Sequence, residues 1–202
     1  MRLAIGVSMP PSASASLPLD PHLARLAAET ADISAETETL CARFSPAQLA
    51  WRPARNRWGV ADCFLHLAQA ADLFHPRFVS AIERTLAAGA RSRGAWKGTW
   101  TGRLFRAISG SKVRIPLPAP PALRVSNAPP DAHRRFLASE AELLEILHRA
   151  DGLDLGFSTT GSPISRRLRI PLGDGLALVV GHARRHLEQA RRVTQAAKFP
   201  RS

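Results

Sequence analysis

His182 and His186 stand four residues apart in Leu176-Ala-Leu-Val-Val-Gly-His-Ala-Arg-Arg-His-Leu-Glu-Gln-Ala-Arg-Arg-Val193. Apolar residues at Leu176, Val179, Val180, Ala183, Leu187, Ala190 and Val193 recur at helical spacing, which makes the run an amphipathic helix. Residues i and i+4 lie one above the other, so both imidazoles leave the helix on the same side, at the edge of its buried stripe. Arg184, Arg185, Glu188, Arg191 and Arg192 fall on the side expected to face water. Two neutral imidazoles on one face make half of a metal site, and a third ligand must come from elsewhere. Seven histidines in 202 residues make such a pair common by chance, so spacing alone assigns nothing. No Ser/His/Asp set, Walker loop or dinucleotide-binding glycine motif occurs at a meaningful spacing. Cys41 and Cys63 lie within apolar helical patterns and read as reduced packing residues.

The elements that must position these histidines are helices. Asp20-Pro21 is an N-cap followed by proline at the first helical position. Leu19, Leu23, Leu26, Ile33, Leu40 and Phe44 then form the seam of a first helix, closed by Ser45-Pro46. Leu49 to Gly59 reads as an irregular connection, with Trp51 and Trp58 as bundle-end packing. A second helix is expected from about Val60 to about Ala88, kinked or ended midway by Pro76. His66 lies beside Cys63, Leu67 and Ala70 and so borders the core, whereas His75, next to the proline, has no comparable setting. Pro129-Pro130-Asp131 opens a third helix that runs to about Arg149, and Asp174 caps the last one. Four long amphipathic helices without a strand series predict an all-α four-helix bundle.

Length fits one domain, expected over 19–198, with 1–18 as a low-complexity, disordered N-terminal segment. The net charge of +12 is unevenly placed. Residues 1–90 balance, 91–130 hold eight basic and no acidic side chains, and 131–202 hold twelve basic and eight acidic. The central Pro/Gly-rich stretch is too long for an inert connection and reads as a basic cover over one end of the bundle, with a short helix within Thr99–Ile108. Such a segment concentrates anions, whether small acidic substrates, nucleic acid or lipid headgroups, and a solvated basic loop is the bland alternative. No apolar run is long enough to span a bilayer, and the N-terminal apolar patch is too short for a secretory signal. A cytoplasmic location is the resulting expectation.

Three motifs in order resemble one family. Trp58-Gly-Val-Ala-Asp-Cys-Phe-Leu-His66-Leu-Ala, His182-Ala-Arg-Arg-His186-Leu-Glu-Gln189 and the preceding Leu49-x-Trp51-Arg-Pro53 are similar to the signatures of the DinB superfamily, also described as DinB/YfiT-like metalloenzymes. The resemblance covers roughly residues 20–198. It implies a four-helix bundle holding a divalent metal, zinc or nickel, through His66 of the second helix and His182 and His186 of the last. Gly59 departs from the usual Ser or Thr, Ala71 from an acidic residue (Asp72 follows it), and Ala183 from a glutamate.

The reading that follows is a metal-dependent enzyme, a thiol-dependent transferase or isomerase, with hydrolysis as another outcome of the same metal chemistry. Its ligands would be a low-molecular-weight thiol and a small anionic substrate. Arg166, Arg167, Trp96 and Trp100 are the expected substrate-binding residues; anchoring the cover is the other reading of the two tryptophans. Gln189, near His186, would hydrogen-bond a ligand or bound water, or simply pack. A non-catalytic metal-holding or anion-binding bundle is the alternative. Nucleic acid is disfavoured, because the basic segment carries no recognisable reading motif. A homodimer is left open.

Overall fold

The computed structural model describes residues 19–92, 96–100, 123–161 and 168–201. Its helices are α1 (Pro21–Cys41), α2 (Pro46–Ala50), α3 (Val60–Ala87), α4 (Ala132–Arg149) and α5 (Leu172–Thr194). The expected all-α class holds: among the described residues only two isolated bridges, Arg91 with Leu153 and Thr159 with Pro171, have β character. None of these helices is long and apolar enough to cross a membrane. The expected disordered segment 1–18 and most of the proposed Thr99–Ile108 helix lie outside the described residues.

α1 begins as its cap residue dictates, with the Asp20 carboxylate accepting from the His22 N–H and Pro21 at the first helical position. Ser45-Pro46 does not simply close that helix but opens α2. Ser45 and Gln48 exchange side-chain-to-backbone hydrogen bonds in a capping box. Pro76 neither ends nor splits α3. Removing one backbone bond costs about 3 kcal/mol. Burying Phe78, Ala81 and Ile82 beyond it returns as much or more, at about 1.5–3 kcal/mol for each of the two large side chains. The Arg77 guanidinium also donates to the Leu73 carbonyl beside the gap. His75 is not stranded by the proline: it is buried and its Nδ1 lies 2.8 Å from the Glu142 carboxylate of α4. α5 starts earlier than its polar pattern indicated, with Pro171 at the N-cap position. Asp174 therefore sits buried inside the first turn, where it accepts from the backbone N–H and hydroxyl of Thr99.

α1 and α3 each pack against both α4 and α5, around a core of Leu23, Leu26, Ile33, Phe64, Phe78 and Phe136. Side-chain pairs give the directions. Asp72 with Arg135, His75 with Glu142 and Glu83 with Arg149 follow the same order along α3 and α4, so these helices run parallel. Glu29 with Arg184 and Glu36 with Arg191 make α1 and α5 parallel as well. Arg184 and Arg191 are thus interhelix fasteners rather than solvated charges, because α1 places carboxylates opposite them. Parallel α3 and α4 account for the long stretch between them. A chain leaving the end of the 28-residue α3 must travel back about 40 Å to start α4 beside its beginning. Trp96 and Thr99 dock near the start of α5, and Leu123 and Ser126 dock near the start of α3.

Candidate metal centre

α3 delivers His66 two turns from its start, and α5 delivers His182 and His186 from successive turns. The Nε2 atoms of His66 and His182 are 3.0 Å apart. Ring centroids are separated by 5.1 Å for His66 and His182, 4.8 Å for His66 and His186, and 4.5 Å for His182 and His186. One nitrogen from each ring lies within 4.8 Å of the others. Donors at about 2.0–2.1 Å from a tetrahedral ion sit roughly 3.3 Å apart, so a small adjustment of these rings would accommodate one.

The protein also prepares the nitrogens. His66 Nδ1 lies 3.1 Å from the Leu123 carbonyl, to which it donates, and this leaves the Nε2 lone pair directed at the other two rings. His66 and His186 are buried, and His182 is partly so. Burial lowers the pKa of His66, with the Leu123 hydrogen bond opposing it. Burial, the neighbouring His66 and the charge of Arg185 push His182 down to about 3. Burial, the other two histidines and Arg185 hold His186 well below its ordinary value. Neutral imidazole is the metal-binding form. Nδ1 of His186 is buried without a hydrogen bond, so one polar atom of the trio is unspent by the protein itself. Gln189 comes close enough to favour the charged form of His186, yet in a geometry that leaves that Nδ1 unpaired.

Trp58 walls the trio, with its ring 4.8 Å from His66 and 5.6 Å from His186. It is part of the site rather than mere end packing. The glycine that follows is demanded by a close approach: a Cβ on Gly59 would lie 2.2 Å from the Trp51 carbonyl oxygen. The missing side-chain cap is replaced from within the helix, where Asp62 accepts from the Gly59 N–H at 2.8 Å. Among the described residues no carboxylate joins the three histidines. Asp72 is engaged elsewhere, in an exposed pair with Arg135.

A family model for the DinB superfamily matches residues 29–190. The chain belongs to the DinB superfamily. No curated protein and no solved structure matches it. Within this DinB chain the sequence-derived residues separate. His66, His182 and His186 come together, with Gln189 adjoining. Trp96 does not: its indole packs where a Cβ on Gly173 would meet it at 2.7 Å. That is nine residues, or about 13 Å of helix, before His182. Trp96 therefore anchors the connecting segment to the bundle, and Trp100 is 70% exposed. Arg166 and Arg167 lie outside the described residues. Besides Trp58, two contributors escape the sequence reading. Arg185, assigned to water, stands three residues after His182 and acts electrostatically on both α5 histidines. The i,i+3 spacing was the available signal. The Leu123 carbonyl is a main-chain atom, and no residue type announces it.

Proposed function

We propose that residues 19–198 form one metal-dependent enzyme domain in which His66, His182 and His186 hold a divalent ion, zinc or nickel. The observation that carries this reading is the convergence of three neutral imidazoles, one with its outer nitrogen already tied to a carbonyl. When bound, such an ion supplies Lewis acidity that can activate a thiol or a water near neutral pH. The chain's own residues do the rest. Burial keeps the imidazoles unprotonated, Trp58 excludes water from one side, and Arg185 supplies positive charge beside the trio. Positive charge there suits an anionic substrate. A low-molecular-weight thiol is the favoured co-substrate, so transfer or isomerisation assisted by that thiol is the favoured reaction class. The absence of a carboxylate from the described cluster favours a second reading, a metal-holding or anion-binding bundle without catalysis. Metal analysis of protein purified without an affinity tag tests the shared premise. About one equivalent of zinc or nickel per chain is expected. Less than about a tenth of an equivalent, with no uptake of either added ion, would refute the enzyme and the metal-holding bundle and leave only the anion-binding bundle.

A further inference from the structure

Arg52 makes contacts that reach His66 from two directions. Its Nε donates to Asp62 Oδ2 at 2.7 Å and its Nη2 to Asp62 Oδ1 at 2.5 Å, a bidentate pair with a carboxylate that is almost fully buried. The same Nη2 donates to the Ser126 carbonyl at 2.7 Å. Asp62 lies four residues before His66 on α3 and holds the Gly59 N–H, next to Trp58, whose ring rests on His66. Ser126 lies three residues after Leu123, whose carbonyl accepts from His66 Nδ1. One guanidinium therefore ties together two chain segments that each contact the same imidazole, one through the tilted ring of Trp58 and one through the imidazole's outer nitrogen.

We infer that Arg52 is a positioning residue for His66, clamping Asp62 and the Ser126 carbonyl so that Trp58 and the Leu123 carbonyl set the orientation and tautomer of that ring. Only the description of His66 as a ligand rests on the proposed metal centre. Lysine cannot substitute, because a single ammonium offers no planar fork to span a carboxylate and a separate carbonyl. Without the clamp, residues 123–126 have one fewer tie to α3. His66 then loses its fixed Nδ1–H tautomer and samples forms that carry the proton on Nε2, the nitrogen needed for coordination.

The test uses the full-length metal-free protein with 15N-labelled histidine, assigned with a His66→Asn control. Two-bond 1H–15N correlation spectra report which nitrogen carries the proton. The unsubstituted protein should show His66 with Nδ1–H alone, and Arg52→Ala and Arg52→Lys should show mixed tautomers. Zinc dissociation constants, measured against a competing chelator, should rise about 10- to 100-fold in both variants. Should Arg52→Ala fail to fold, Arg52→Lys decides the matter, since it can keep a bond to Asp62. Unmixed Nδ1–H in the folded variants, or zinc affinity within twofold of the unsubstituted protein, would overturn the inference. If the unsubstituted protein takes up no zinc, the metal-centre reading fails by itself and the tautomer comparison still judges Arg52.

Discussion

Glu140 offers a sharp quantitative test of the packing. It lies on α4 between Phe136 and Leu143, on the face turned into the bundle, and only 4% of it is exposed. Its Oε2 has no hydrogen-bond partner, and burial pushes its pKa from 4.5 up to about 8. A pKa raised by folding means that the unfolded chain releases the proton first. Stability from this group is therefore fully present below pH 4.5 and declines as pH rises toward 8. At 1.36 kcal/mol per pKa unit, the group costs about 1 kcal/mol at pH 5, about 3 kcal/mol at pH 7 and about 4–5 kcal/mol at pH 9. Glu140→Gln removes the titration while keeping the shape, and Glu140→Leu also removes the unpaired polar atom. Urea unfolding followed by helical circular dichroism at pH 5, 7 and 9 would measure all three proteins. The stability of the unsubstituted chain relative to Glu140→Gln should fall by about 2–3 kcal/mol from pH 5 to 7 and by only about 1 kcal/mol more to pH 9, because the folded-state carboxyl itself ionises near pH 8. Subtracting the two proteins cancels the histidines, which titrate in both. A difference constant to within about 0.5 kcal/mol across that range would show that the carboxyl is solvated, and the core placement of α4 would be wrong.

The histidine trio predicts a pH dependence of opposite sign. Folding lowers their pKa values, so the unfolded chain takes up protons first. The metal-free protein should lose stability as pH falls below 6.5, for His182 until about 3, and His182→Asn should flatten that slope in the same urea experiment. His66→Asn, His182→Asn and His186→Asn should each weaken zinc binding at least about 100-fold in chelator competition; one fully tolerated substitution would remove that residue from the centre. Gly59→Ser, which installs the residue usual in the superfamily, should cost about 1–3 kcal/mol here because its Cβ meets a backbone oxygen. Unchanged melting would mean that Trp51 does not press on α3.

Some of this protein is written in local pattern. Proline and aspartate at the start of α1 act within one turn of themselves, and α4 follows the apolar spacing up to the left-handed Gly152, although Asp131 at its start makes no side-chain cap. The i,i+4 histidines needed only helical geometry to share a face. Where two local rules competed, the sequence misled. Pro76 stands against a strong apolar face and loses, and α5 extends upstream because Leu172 and Leu176 bury completely on either side of two glycines.

What residue order alone determined was which side chains share a helical face, since that depends on neighbours within a few residues. What only the tertiary structure decided was which faces meet and in which direction. The parallel course of α3 and α4, the passage of the connecting segment from Trp96 at one end to Leu123 at the other, and the tautomer of His66 all depend on contacts between residues far apart in sequence. Several of those contacts are made by backbone carbonyls, at Leu123, Ser126 and Trp51. Every residue carries such a group, so residue type cannot mark them, and only the packed fold selects the ones that matter.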